Sequence, residues 1–263
     1  MTKSIHSTRK DGQPMLGQVI TIASGKGGTG KTSTAANIAV ALCAYGEKVL
    51  LIDADIGLRC LDIVLGMSSY VLFSYGDVIC GRATLKQAAV THPIVKNLYL
   101  LTAPASFDEK EAFSQKNINA FLRYARRHFS YIIIDCAAGL GGANVAFGGS
   151  SDKCIIVSTP DETALRGGQI MADKLFEAGC EEIKLVVNRV KKGTIEKGHS
   201  PDIDKAMDTA GLGLLGIVPE DKDIPRCANA QKILLLYSDG KAVKAYNNIA
   251  KRLMGEKVRL LHI

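Results

Sequence analysis

Two rhythms of apolar residues alternate along this chain. Short unbroken runs occur at Val19-Ile-Thr-Ile-Ala23, Lys48-Val-Leu-Leu-Ile-Asp53, Asn97-Leu-Tyr-Leu-Leu-Thr102, Tyr131-Ile-Ile-Ile-Asp135, Lys153-Cys-Ile-Ile-Val-Ser158, Ile183-Lys-Leu-Val-Val-Asn188 and Leu214-Leu-Gly-Ile-Val218. Each predicts a strand, and continuous runs of this kind belong to a sheet covered on both faces. Between most of them, apolar residues recur every three or four positions. Ala35, Ile38, Ala39 and Leu42 mark a helix over 31–45, closed by Gly46. Phe113, Ile118, Phe121 and Leu122 mark another over 110–128, and similar patterns cover 162–178 and 202–210. Ala242, Val243, Tyr246, Ile249, Ala250 and Leu253 form one face of a last helix, which is expected to dock on the body. Strands alternating with helices predict an α/β fold with a mainly parallel, doubly wound sheet flanked by helices. The expected organisation is one domain over 18–263, preceded by a flexible polar tail over 1–17. Solenoid-length repeats are absent.

Composition narrows the class without changing the fold. The chain has 263 residues, 47% hydrophobic and 22% charged, enough apolar content for a packed core. No apolar run reaches the ~18 residues of a membrane-spanning helix. The net charge of +7 sits at the ends. Lys3, Arg9 and Lys10 face Asp11 near the start, and Lys241, Lys244, Lys251, Arg252, Lys257 and Arg259 face only Glu256 near the end. The seven cysteines form no C-x-x-C pair and their number is odd, as expected of small apolar residues in a reducing cytosol. The first residues have no apolar signal core, so the expected location is cytoplasmic. The five histidines show no metal-ligand spacing.

Gly25-Lys-Gly-Gly-Thr-Gly-Lys-Thr32 fits the phosphate-loop pattern G-x-x-x-x-G-K-[ST], between a strand and a helix as the chemistry requires. Glycines let consecutive N–H groups curl around phosphate oxygens, and the helix N-terminus adds positive potential. Lys31 would reach the β- and γ-phosphates, and the Thr32 hydroxyl would bind Mg²⁺. Gly25, Gly27 and Gly30 also fit a dinucleotide fingerprint, with Asp53 at about the distance of its ribose ligand. The consecutive Lys31 and Thr32 favour a triphosphate with Mg²⁺. Asp135, at the end of its strand, stands where such enzymes hold the Mg²⁺ shell.

A second lysine, Lys26, lies inside the loop, and its sharper reading is a cation that crosses to another subunit's γ-phosphate. Lys26-Gly-Gly-Thr-Gly-Lys-Thr32 resembles the deviant Walker A motif of the MinD/ParA family of ATPases. Asp53-Ala-Asp-Ile-Gly-Leu-Arg-Cys-Leu-Asp-Ile-Val-Leu-Gly66 is similar to the segment after the second strand in the MinD branch. Ile-Asp135-Cys-Ala-Ala-Gly139 resembles the family's second switch, and Val-Asn188-Arg-Val and Gly-Ile-Val-Pro219-Glu-Asp221 resemble its adenine-side loops. The likeness runs from about residue 18 to about residue 260.

The resemblance implies ATP and Mg²⁺ as ligands, held by Gly25, Lys26, Gly27, Gly28, Thr29, Gly30, Lys31, Thr32 and Ser33. It implies that Lys26 contacts phosphates across an ATP-sandwiched homodimer. Asp55 would position the attacking water. Asp135 would support the Mg²⁺ shell, to which Thr32 and Asp55 also belong, and would sense the γ-phosphate through Gly139. Asn188 would hydrogen-bond adenine, with Pro219, Glu220 and Asp221 closing that pocket. The expected activity is slow ATP hydrolysis stimulated by a protein partner, in a switch for division-site placement or other spatial positioning. The resemblance also implies a division inhibitor as a partner, and the inner face of the cell membrane as a peripheral site of action. Two alternatives are a ParA-like or flagellar-number-type ATPase acting on DNA or a protein scaffold, and a nucleotide-gated adaptor with negligible turnover. Arg166 lies in a segment similar to the MinD branch and is a candidate partner contact.

Three features depart from the MinD pattern. Cys60 stands where Asn is usual and Ala137 where Pro is usual. The third is the end of the chain. After Gly255, Glu256-Lys-Val-Arg-Leu-Leu-His-Ile263 offers ~12 Å of helix, a short membrane anchor that could equally be a packed segment.

Overall fold

The computed structural model describes residues 16–56, 58–104, 114–139 and 141–261. Most of the expected 1–17 tail, Phe113 of the second helix, and His262 and Ile263 lie outside them. Eight strands form one sheet: β1 (Gln18–Ala23), β2 (Val49–Asp53), β3 (Val90–Thr91), β4 (Leu98–Leu101), β5 (Tyr131–Asp135), β6 (Lys153–Ser158), β7 (Ile183–Val190) and β8 (Gly213–Pro219). Their order is β3-β4-β2-β5-β1-β6-β7-β8, and every pairing is parallel except that of β3 with β4. The expected doubly wound α/β sheet is therefore present. The seven expected strands recur at nearly the expected bounds, and β3 is an additional two-residue edge.

The helices are α1 (Lys31–Ala44), α2 (Leu61–Val64), α3 (Tyr75–Ile79), α4 (Leu85–Ala88), α5 (Gln115–Ala125), α6 (Gly142–Gly149), α7 (Glu162–Glu177), α8 (Lys192–Glu196), α9 (Ile203–Ala210), α10 (Asp223–Asn229), α11 (Leu234–Tyr237) and α12 (Lys241–Leu253), with a 3₁₀ turn at Ser68–Tyr70. The five residues of β2 and the six of β6 are all buried, as runs covered on both faces must be. One core lies where α1 and α12 meet the sheet, around Ile38, Leu42, Leu51, Ile133, Tyr246 and Ile249. A second, around Leu50, Ile132, Ile134, Phe121 and Phe147, lies under α5 and α6. α7 and α9 cover a third, around Ile156, Leu165, Leu175 and Leu185.

The predicted face of α12 docks on the body, with Ala242, Tyr246, Ile249, Ala250 and Leu253 buried and Val243 partly so. Beyond it, 255–261 is not helical. The Arg252 guanidinium holds this segment beside β8, donating to the carbonyls of Leu215 (2.9 Å), Val258 (3.0 Å) and Arg259 (2.8 Å). All seven cysteines are free thiols and five are buried, in keeping with their expected role as small apolar residues. Among the described residues, no helix is long and apolar enough to cross a membrane.

Candidate functional site

Parallel strands end at one edge of the sheet, and the loops that follow β1, β2, β5, β7 and β8 meet there. The β1–α1 loop is shaped by glycine. Gly28 and Gly30 hold φ of +78° and +94°, a region that L side chains rarely adopt. The backbone of Gly25 approaches Gly167 so closely that a Cβ would stand 1.9 Å from its carbonyl carbon. α1 starts with no side-chain cap at Gly30 and no acidic residue in its first turn. Its orphan N–H groups and the positive end of its dipole are thus left for an anion. Lys31 is buried at this point.

Asp53 and Asp135 end β2 and β5, and Asp55 follows in the turn after β2, close enough to Asp135 to act on its charge. Asp53 and Asp135 are in register on neighbouring strands and both are buried. Asp53 Oδ1 accepts from the Asp55 N–H and Oδ2 from the Leu61 N–H, each at 3.0 Å, so it fixes the turn that carries Asp55 and opens α2. Burial raises the Asp53 pKa against these hydrogen bonds. The Asp135 pKa is pushed up to about 7, mainly by burial, with Asp53 and Asp55 adding and the Thr32 hydroxyl and Lys31 opposing. Asp135 Oδ1 is buried without a hydrogen-bond partner among the described residues. An orphaned carboxylate oxygen beside a hydroxyl and a lysine fits a hard cation such as Mg²⁺, which takes one or two protein oxygens and leaves the rest of its shell to phosphate and water. Among the described residues, no group of three or more His, Cys, Asp or Glu side chains could hold a metal ion.

After β5, Gly139 takes φ of +87°. The buried Asn144 holds this loop, donating from Nδ2 to the carbonyls of Ala137 (3.0 Å) and Gly139 (2.9 Å). The Ala137 contact uses only a backbone carbonyl, so an Ala in place of the usual Pro leaves it intact. Cys60 stands just before α2 without a capping hydrogen bond, because Asp53 supplies the acceptor for Leu61 instead.

Asn188 at the end of β7 is buried and turned toward the phosphate loop. Its Nδ2 donates to the Thr29 carbonyl at 2.8 Å and its Oδ1 accepts from the Arg189 N–H at 2.9 Å. Gly30 is forced small by the same contact, since a Cβ there would lie 2.3 Å from Asn188 Nδ2. Pro219 pairs with Val190, the Glu220 N–H donates to the Val190 carbonyl at 3.0 Å, and the Glu220 carboxylate pairs with Lys191 at 2.6 Å. Asp221 Oδ1 accepts from the Asp223 N–H at 2.9 Å. The residues after β7 and β8 therefore form one tied pair of loops.

Lys26 is half-exposed at the rim, its Nζ 3.3 Å from Thr163 Oγ1 and 3.8 Å from Asp161 Oδ1. Asp161 also caps α7 through the Ala164 N–H at 3.0 Å. Arg166 is exposed and pairs only loosely with Glu162, at 3.9 Å. The sequence-selected residues lie on the strand ends, loops and helix starts of this one edge. Sequence reasoning missed Asn144, Asp161 and Thr163, which act through contacts 5 to 137 positions away.

Comparison with known proteins agrees with this arrangement. A family model described as an AAA domain matches residues 17–179. The septum site-determining protein MinD of Bacillus subtilis is 37% identical over 248 residues, covering 93% of this chain and 92% of that protein. In the solved MinC:MinD cell division protein complex of Aquifex aeolicus, a chain with 31% identity superposes with a TM-score of 0.86, covering 93% of this chain and 98% of that one. Pyrococcus horikoshii MinD, solved with Mg-ADP, gives 0.80 at 28% identity, covering 90% and 96%.

Proposed function

Because this chain belongs to the MinD/ParA family of ATPases, on its MinD side, we propose that it is an ATP-hydrolysing, dimerising switch that serves division-site placement. The observation that carries the reading is the convergence of an uncapped phosphate loop, Lys31, Thr32 and the orphaned Asp135 oxygen at one sheet edge, with Lys26 at its rim held only by the exposed Asp161 and Thr163 among the described residues. The proposed domain covers residues 18–263, after a tail over 1–17.

In this reading the loop from Gly25 to Ser33 wraps the phosphates, and Lys31 neutralises the charge between β and γ. Thr32 and, through water, Asp135 and Asp55 would hold Mg²⁺, which supplies charge neutralisation on the phosphate oxygens when bound. Asp55 accepts a hydrogen bond from the attacking water and orients it, on a turn fixed by Asp53. Gly139 lets the loop after β5 swing toward the γ-phosphate, and Asn144 restrains it. Asn188 secures the loop through Thr29 and offers its second Nδ2 hydrogen to the base, beside Pro219 to Asp221.

Lys26 leaves Asp161 and Thr163 to reach the γ-phosphate of a second copy, so ATP bridges two chains and hydrolysis removes the bridge. The two states differ by contacts that only the triphosphate makes, the requirement for any ligand-driven switch. A protein activator and a division inhibitor are the proposed protein partners, and the inner membrane face is the proposed peripheral site.

The test is phosphate release with MgATP, alone and with anionic vesicles or plasmid DNA at two salt concentrations. Slow release stimulated by vesicles, with co-sedimentation that persists at the higher salt, supports the reading. Co-sedimentation with plasmid alone, falling steeply with salt, favours the DNA-directed alternative. Nucleotide binding without measurable phosphate release favours the adaptor.

A further inference from the structure

One side chain clips the loop that follows β5 from behind. Asn144 is the third residue of α6 and is buried. Its Nδ2 donates to two carbonyls of the loop, Ala137 at 3.0 Å and Gly139 at 2.9 Å. An amide nitrogen has two hydrogens, so both of its donors are spent on the loop. These contacts also fix which end of the amide faces the loop, because the reversed amide would set its oxygen against two carbonyl oxygens.

A trans peptide carries its C=O and N–H on opposite sides, and the described residues contain no cis bond. With the Ala137 carbonyl turned toward Asn144, the Ala138 N–H points away from it. The N–H groups of Ala137, Ala138 and Gly139 have no hydrogen-bond acceptor among the described residues. The sheet determines what lies in that direction. α6 packs on one face, with Phe147 against Ile132 and Ile134, and α1 packs on the other, with Ile38 and Leu42 around Ile133. The loop starts between the ends of β1 and β2. The Cys136 N–H donates to the Ile22 carbonyl at 3.1 Å, and the Asp135 carbonyl accepts from the Ala54 N–H at 2.8 Å. A donor turned away from α6 at this place is turned toward the side on which the phosphate loop opens α1.

We propose that Asn144 is a positioning residue for triphosphate recognition: by holding the carbonyls of Ala137 and Gly139 it presents the unpaired N–H groups of this loop to the third phosphate, and so separates ATP from ADP. The inference rests on the nucleotide reading above and adds to it the residue that sets the choice between the two nucleotides. Consecutive backbone N–H groups serve an anion best when their directions are fixed beforehand. Asn144 does this from the far side of the loop and touches neither nucleotide. The first two phosphates lie with the Gly25–Ser33 loop, which does not depend on it.

The test measures Kd by calorimetry for MgADP and for the non-hydrolysable β,γ-imido analogue of MgATP, in the unsubstituted chain, Asn144→Asp and Asn144→Ala. Asn144→Asp keeps the shape of the side chain and removes both donors. The preference for the analogue over MgADP should fall about tenfold in each variant, roughly one charge-assisted hydrogen bond, while the Kd for MgADP stays within about twofold. In the unsubstituted chain, amide exchange over 136–139 should slow with the analogue and not with MgADP. That slowing should be lost in Asn144→Asp. Equal weakening of both nucleotides marks a purely structural role and overturns the proposal. An unchanged preference, or protection of 136–139 that survives in Asn144→Asp, overturns it too. If Asn144→Asp fails to fold, Asn144→Ala decides by the same readings. No binding of MgADP to the unsubstituted chain overturns the nucleotide reading and the role of Asn144 with it.

Discussion

Lys26 rests on the first turn of α7, its ammonium 3.8 Å from the Asp161 carboxylate and 3.3 Å from the Thr163 hydroxyl. If this cation must leave for a neighbouring chain's phosphate, Asp161 competes with dimer formation. An exposed pair of this kind is worth under about 1 kcal/mol. Asp161→Asn keeps an acceptor for the Ala164 N–H and removes the charge. The ATP concentration at half-maximal dimerisation should fall by about two- to threefold at low salt, and the difference should shrink as salt rises. Light scattering over an ATP titration measures it.

Asn188 and Gly30 make a second close pair, locking the phosphate loop to β7. Asn188→Ala strands the buried Thr29 carbonyl, which should lower stability by about 1–3 kcal/mol in denaturant melts and weaken nucleotide binding. Gly30→Ala adds a Cβ where φ is +94° and Asn188 Nδ2 occupies the space. It should abolish nucleotide binding in calorimetry, as should Lys31→Ala.

Asp135 carries a pH signature. Its pKa stands raised from 3.8 to about 7 in the folded chain. The folded state therefore holds this proton more tightly than the unfolded state, and its contribution favours folding at low pH and is lost as pH rises through about 7. Without nucleotide, thermal stability should decline between about pH 4.5 and 7 more in the unsubstituted chain than in Asp135→Asn. A bound Mg²⁺ needs the ionised carboxylate, so the stabilisation gained from MgADP should grow over the same interval and be lost in Asp135→Asn.

Asp53 and Asp55 separate shape from chemistry. Asp53→Ala removes the acceptor of both the Asp55 and Leu61 N–H groups. Amide exchange across 54–61 should accelerate, and both ATP binding and turnover should drop. Asp55→Ala should leave binding in place and stop hydrolysis, so that the ATP-bound dimer accumulates. Normal phosphate release by Asp55→Ala would reject the water-positioning role.

The strands were legible because a sheet buried on both faces demands unbroken apolar runs, and β2, β5 and β6 are such runs. β3 has only Val90 and Thr91, too few residues to show a rhythm. α6 was hidden by Gly142, Gly148 and Gly149, which helix propensity disfavours. The last two are required by α7, since a Cβ at Gly148 would meet Leu175 at 2.2 Å and one at Gly149 the Ala178 carbonyl at 2.3 Å. The phosphate loop was legible because its chemistry is contiguous. The grip of Asn188 on Thr29 spans 159 positions, and the hold of Lys26 on Thr163 spans 137. Spacing carries no record of such contacts. Resemblance placed Asn188 at the adenine; its hold on the Thr29 carbonyl is a further contact that the sequence does not record.

The central claim is that ATP joins two chains through Lys26. Sedimentation of the unsubstituted chain and of Lys26→Ala, each with MgATP and with MgADP, tests it most directly. The account predicts a doubling of mass for the unsubstituted chain with ATP alone, and a monomer for Lys26→Ala that still binds both nucleotides. A Lys26→Ala chain that doubles its mass with ATP, or an unsubstituted chain that stays monomeric with it, would contradict the account.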